Sequence, residues 1–301
     1  MGKAENAEVV FNTDIVKRKE RSQISEIWRR MKKNKGAMIG LFFAVLLVCT
    51  ALFSGLLLDY EKQIIAKNTP ERLQHPSWRH PMGTDEYGRD IFFRIIYGTR
   101  YSISIGIVAV SIALVIGVFI GAIAGYFGGI LEEVLMRFTD IIQAVPATIM
   151  SIMIVVVLGQ TTFNLMLAIG LTSVPQFARI TRVAVLTIKD QEFIEASRAI
   201  GLGSFKTIVS HILPNCFSPI IVQATLRVAT AILSASTLSF LGLGVPVPKP
   251  EWGAMLSAGR KFIREYSYMT LFPGLAIMIT VLSLNLLGDG LRDALDPKLK
   301  N

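Results

Sequence analysis

Long apolar runs alternate with short polar ones along this chain, and six of the runs reach the roughly 20 residues that a membrane-spanning helix needs. They lie near 35–58, 101–125, 137–159, 163–188, 216–242 and 269–291. This pattern predicts an all-α membrane protein with six transmembrane helices. It divides the chain into a basic N-terminal tail (1–34), a first span with a polar loop (35–99), a five-helix core (100–291) and a C-terminal tail (292–301). Two of the polar stretches are more than connections. The run DQEFIEASRAIGLGSFKTIVSHILPN, 190–215, reads as two short helices around a glycine corner. Asp190 suits an N-cap, Glu192 the positive helix start, Gly201 and Gly203 the end of the first helix, Ser204 the cap of the second, and Pro214 its termination. Such a hairpin buries little of its own surface. Phe193, Ala196, Ile200 and Leu202 are therefore expected to meet a partner or the bilayer rim, an amphipathic interfacial hairpin being the plainer alternative.

The other stretch, HPMGTDEYGRDIFFRIIYGTR at 80–100, contains a tight polar turn. Gly83, Thr84, Asp85, Gly88, Arg89 and Asp90 form it, with Asp85 placed to cap the next segment and Arg89 to pair with a carboxylate. The segment 90–97 is expected to be a short helix at the membrane surface, carrying Ile91, Phe92, Ile95 and Ile96 on one side. Within the spans, Gly106, Gly117, Gly121 and Gly125 predict close helix packing, and Pro146 and Pro175 predict kinks. Arg227 stands alone deep in a span, where a guanidinium costs about 2.5–3.5 kcal/mol on insertion scales. It should face a water-filled cavity, where it would attract a carboxylate, or else snorkel or pair, with Asp140 or with a partner.

Composition supports the membrane class. Of 301 residues, 52% are hydrophobic and 18% charged, and the mean hydropathy is +0.52. Of the net charge of +9, +4 lies in the tail before the first span, where 9 Lys and Arg outnumber 5 Asp and Glu. That placement fits anionic lipid headgroups and a cytoplasmic N-terminus better than nucleic acid. The first apolar run lies too far from Met1 for a signal peptide. Cys49 and Cys216 lie in different regions and predict no disulfide. His75 and His80 lack a carboxylate cluster for a metal and read as plain loop residues, and His211 reads as support for the helix corner. The stretch 203–207 lacks the Gly-Lys pair of a phosphate loop, so no nucleotide site is expected there.

The 190–215 run resembles the EAA loop of the membrane subunits of bacterial ATP-binding-cassette importers, through Glu195, Ala196, Ser197, Gly201, Leu213 and Pro214, with Ser197 in place of the second alanine and His211 in place of an isoleucine. The Gly83–Asp90 motif, 140–146, SFLGLG at 239–244, EWG at 251–253 and LLGDGLRDALD at 286–296 resemble the C-type permeases of dipeptide, oligopeptide and nickel importers. The resemblance implies a type I importer permease fold, one extra N-terminal helix plus a five-helix core. It also implies ATPase coupling through Phe193, Glu195, Ala196, Ser197, Gly201, Leu202, Gly203 and Pro214. Its implied partners are a B-type permease, two ATPases that use ATP and Mg, an external solute-binding protein and membrane lipids; no cofactor is expected on this chain. The turn at 83–90 is either structural or a docking point for the binding protein. The expected substrates are dipeptides or oligopeptides, with nickel chelates or glutathione-like compounds as alternatives, in a bacterial or archaeal cytoplasmic membrane with both termini inside. A proton-coupled carrier is the alternative class, disfavoured by the scarcity of mid-membrane ionisable groups.

Overall fold

A computed structural model of the protein describes residues 23–295; most of the basic tail and the last six residues lie outside that range. The chain is helical, in the order α1 (Gln23–Lys33), α2 (Lys35–Leu57), α3 (Ile91–Phe127), α4 (Gly129–Ala144), α5 (Ala147–Leu158), α6 (Thr162–Ile188), α7 (Glu192–Ala199), α8 (Ser204–Thr207), α9 (Leu213–Asn215), α10 (Phe217–Phe240), α11 (Trp252–Gly259) and α12 (Tyr268–Leu295). Among the described residues α2, α3, α10 and α12 are long and apolar enough to cross a membrane, and α4 with α5 makes a fifth if that bent pair is one span.

Three of the expected spans change shape. The stretch 137–159 is not one helix: α4 and α5 meet at 87° across Pro146. Proline has no N–H and disfavours helical backbone in the residue before it, and Val145 is extended at φ −93, ψ 131. The expected fourth span is α6, 27 residues long but less apolar, because Thr172, Ser173, Gln176, Arg179 and Arg182 punctuate it. It packs against α3, α4, α5 and α10, so protein rather than lipid faces much of it. Pro175 stays inside this helix, buried. The segment 90–97 is not a separate surface helix. Asp90 caps α3, accepting from the backbone N–H groups of Phe92 and Phe93, and α3 then runs unbroken for 37 residues.

The central seam is α3 against α6, the most extensive helix pair. The two run parallel. Gly117 faces Val174 and Phe177, Gly121 faces Ala178 and Thr181, Gly125 faces Arg182 and Val185, and Gly170 of α6 returns the contact against Ala109 and Ile112. Gly106 turns instead to Val228 and Ile232 of α10. Small residues every fourth position let two backbones approach, as the sequence predicts. Ile105, Ala109, Ala113, Leu165, Phe177, Ala231 and Ala235 fill the core around this seam. Helix α2 packs antiparallel on α12, where a Cβ on Gly40 would meet the backbone of Ser283 and Leu287.

Candidate functional site

At one end of the bundle, the 190–215 segment closes over the ends of α3 and α6. Helix α7 spans Glu192–Ala199, with Gln191 at its N-cap making no side-chain cap bond, so Asp190 is not the cap expected. Apolar residues decide the docking. Ile194 and Ile212 are fully buried and join Ile208, Ala122, Val185, Ile188 and Cys216 in one cluster. Ser197 is buried as well, its Oγ 3.5 Å from Thr207 Oγ1. The corner is Gly201, at φ +79, a left-handed conformation that glycine adopts without steric cost. Its N–H donates to the Arg198 carbonyl and the Leu202 N–H to the Ser197 carbonyl.

Gly203, not Ser204, holds the N-cap position of α8. The chain then stays helical through a π turn at Ile208–Ile212 into α9, so Pro214 lies within the helical run rather than after it. A proline at 214 withholds one donor from the preceding turn, consistent with the widened π spacing there.

The outward surface of this segment carries Phe193, Ile200, Phe205 and Val209, all exposed, with Ile200 at 78% and Phe205 at 75%. Glu195, Ala196, Gly201, Gly203 and Pro214 are exposed too, and Leu202 is half-buried. Of the expected coupling residues, Ser197 therefore faces inward. Phe205 escaped sequence reasoning because its helix, α8, is about one turn long and shows no repeating apolar face. Ile188, Asn215 and Arg292 line one cavity, which places the last residues of α12 at this same end. Beside it two ion pairs tie α6 to α4: Arg179 to Asp140 at 3.0 Å, and Arg182 to Glu132.

At the opposite end, the 59–90 segment folds as a polar knot on the start of α3. Gly83 and Gly88 both have φ +75. Thr84 pairs with Asp90 across an isolated bridge, and the Thr84 hydroxyl donates to the Glu71 carbonyl. Asp85 accepts from the backbone N–H groups of Tyr87 and Arg89, takes Arg89 Nε at 2.6 Å, and stands 3.7 Å from Arg94 Nε. Arg94 reaches the Ile64 carbonyl at 2.7 Å, and His80 Nδ1 lies 2.7 Å from Asp90 Oδ2. His80 is thus a buried member of the knot rather than a plain loop residue, and Arg94 and Glu71 are members that the sequence did not single out. The second half of the chain closes the knot. Trp252 Nε1 donates to the Ile95 carbonyl, and Glu251, fully buried, caps α11 through the N–H groups of Gly253 and Ala254. Burial pushes the Glu251 carboxyl above its ordinary range, against the opposing pull of those N–H groups.

This geometry favours a structural role for Asp85. Asp85→Ala leaves two buried guanidinium groups without their carboxylate, a loss on the order of 3–5 kcal/mol for a broken buried pair. A lowered melting temperature and reduced recovery of folded protein are expected. Unchanged melting with a lost response to an external partner would overturn that expectation in favour of docking.

Arg227 lies in the middle of α10, away from both ends, and among the described residues no carboxylate pairs with it; Asp140 is held by Arg179.

Comparison with known proteins agrees with this architecture. Residues 117–301 match the family of binding-protein-dependent transport system inner membrane components, and residues 22–76 match the N-terminal transmembrane domain of oligopeptide transport permease C. The chain is 46% identical over 276 residues to the dipeptide transport system permease protein DppC of Alkalihalophilus pseudofirmus, across 92% of this chain and 90% of that one. It is 42% identical to the di/tripeptide transport system permease protein DppC of Pseudomonas aeruginosa, across 93% and 94%. It is 40% identical to the glutathione transport system permease protein GsiD of Pectobacterium atrosepticum, across 92% and 91%. Among solved structures, an inward-facing form of the MetNI methionine ABC transporter aligns with a TM-score of 0.56 at 20% identity, over 68% of this chain and 98% of that chain. That likeness is one of fold alone.

Proposed function

Since the chain belongs to the binding-protein-dependent transport permeases, as a C-type member, we propose that it carries dipeptides or oligopeptides into the cell as one of two spanning subunits driven by separate ATPases. It is a multi-pass membrane protein. The observation that carries the coupling half of this reading is the 190–215 segment: Ile194, Ile208 and Ile212 lock it to the bundle, while Phe193, Ile200 and Phe205 face away from it. A rigid attachment on one side and an apolar face on the other can pass a push from an ATPase groove to α3 and α6. ATP and Mg act on those ATPases, not on this chain. The peptide half rests on the names of the relatives; glutathione, carried by some of them, is itself a small peptide with free carboxylates.

Orientation follows from charge. Arg29, Arg30, Lys32, Lys33 and Lys35 sit beside the start of α2, at the same end as the close of α12 and the 190–215 segment, which makes this the cytoplasmic end. The 59–90 knot then faces the external binding protein, and a B-type permease completes the pathway.

Two measurements test this. Uptake of a labelled dipeptide by the reconstituted complex is expected to require ATP and to survive collapse of the proton gradient; uptake that follows the gradient and ignores ATP would refute it. Phe205→Glu puts a charge in the apolar docking face without touching the core, and should lower the amount of ATPase co-purified by about tenfold or more. Full ATPase recovery with that variant refutes the docking face.

A further inference from the structure

Helices α5, α6 and α10 line a small, partly open cavity, about 80 Å³, whose lining is polar for a spanning bundle. Thr148 and Ser151 come from α5, Ser173 and Gln176 from α6, and Arg227 and Thr230 from α10. Each pair is separated by three positions, which sets both members on one face of its helix. Three helices therefore turn a polar face to one point.

Two of these groups lack partners among the described residues: Arg227, half-buried, and the buried Gln176 Oε1. No carboxylate among the described residues pairs with Arg227, and Gln176 Oε1 is buried without a hydrogen-bond partner. The hydroxyls do not serve them: Ser173 Oγ donates to the Ile169 carbonyl, and Thr230 Oγ1 donates to the Arg227 carbonyl. The cavity thus offers a planar array of cationic donors together with one unsatisfied acceptor. A peptide's C-terminal residue presents the complement, a carboxylate and an amide N–H on the same Cα. The cavity opens at its rim, where Thr148 and Thr230 are exposed, so the end of a peptide can enter it from the surface.

We propose that this cavity is a way-station for the C-terminal carboxylate of the transported peptide, with Arg227 binding the carboxylate and Gln176 Oε1 accepting the neighbouring amide N–H. It rests on the peptide-importer reading above and adds where the substrate is held. Arg suits the task because its fork matches a carboxylate in two parallel hydrogen bonds, a geometry that lysine lacks.

The test uses the complete reconstituted complex, with its binding protein saturated by a dipeptide bearing either a free C-terminal carboxylate or a C-terminal amide. Initial import rates are compared in the wild type, Arg227→Gln, Arg227→Lys and Gln176→Leu. The binding protein is the same throughout, so its own preference cancels when the acid-to-amide ratios are divided. Loss of one charge-assisted contact predicts an acid-to-amide ratio about tenfold lower in Arg227→Gln, arising from slower import of the free acid. Arg227→Lys keeps the charge but not the fork, so its ratio should fall between those of the wild type and Arg227→Gln. Gln176→Leu should slow both peptides by about threefold, since both carry the amide N–H it meets. An Arg227→Gln ratio within about twofold of wild type overturns the assignment, as does an equal loss for both peptides. If Arg227→Gln does not assemble, unchanged acid and amide rates in both other variants overturn it. A wild-type complex that imports neither peptide under ATP refutes the peptide reading itself, whereas peptide import with an unaltered ratio refutes only the way-station.

Discussion

Gly121→Leu is expected to abolish accumulation of the folded protein. A Cβ at this position would press on the Ala178 carbonyl and lie 2.8 Å from Thr181 Cβ, and neither can move aside without shifting α6 itself. Leucine adds three more carbons to a seam already closed by Gly117 and Gly125 on the same face of α3. The helices must then separate, and every contact between them from Ala109 to Val185 is weakened together. Overpacking of ordinary cores costs roughly 1–3 kcal/mol where side chains can adjust; here the obstacle is backbone, so the loss lies at or above the top of that range. Yield after detergent extraction and thermal melting both report it. Gly274→Ala is the matched control, because its nearest neighbour is Leu256 Cδ1 at 3.9 Å, and it should melt like the wild type. A Gly121→Leu protein of normal yield and melting temperature would show that the seam is not as tight as described.

This seam was readable in the sequence because its cause is local: small residues at helical spacing allow close approach whatever the partner is. The break at Pro146 was not readable to the same degree. Pro146 and Pro175 both interrupt apolar runs, yet α6 continues through Pro175 and the chain turns by 87° at Pro146. The two differ in their surroundings. Pro175 is held among α3 contacts along a 27-residue helix, whereas Pro146 follows the polar α4, whose Glu132 and Asp140 are tied to α6. The start of α3 misled in the opposite direction. Ile91, Phe92, Ile95 and Ile96 make 90–97 look like a surface helix, but Asp90 caps a helix that runs on through the bundle, and Arg94 is satisfied by Ile64 and Asp85, partners brought from elsewhere in the chain.

The candidate sites divide along the same line. The turn at 83–90 and the corner at Gly201 follow from glycine chemistry that the sequence displays, whereas the caps expected at Asp190 and Ser204 fall to Gln191 and Gly203. Which side chains of 190–215 face inward depends on the surface beneath them, so Ser197 and Phe205 could be placed only once the ends of α3 and α6 were known. For Arg227, its depth was legible and its companions were not, since Thr148, Ser173 and Gln176 come from helices that the topology brings together.

Gly201→Val is expected to uncouple the transporter while leaving it folded. The position has φ +79 and nothing within 4 Å of the added Cβ, so the substitution meets no clash and its cost is confined to backbone strain. A left-handed conformation costs an L-residue about 1–2 kcal/mol, more for a β-branched side chain, which is small against a stability of roughly 5–15 kcal/mol. The protein should therefore insert, assemble and melt near the wild-type temperature. Function is more sensitive. Gly201 sets the angle between α7, which carries Phe193, and α8, which carries Phe205, and a valine relieves its strain by turning that corner and misaligning the two halves of the apolar face. Peptide uptake should fall by about tenfold or more, with ATP hydrolysis no longer responding to the loaded binding protein. Gly203 supplies the contrast. It has equally open surroundings but φ −65, so Gly203→Ala meets neither clash nor strain and should transport like the wild type. Normal uptake in Gly201→Val would remove the corner from the coupling mechanism, and lost uptake in both variants would mean that the surface itself, not the left-handed turn, is what the ATPase reads.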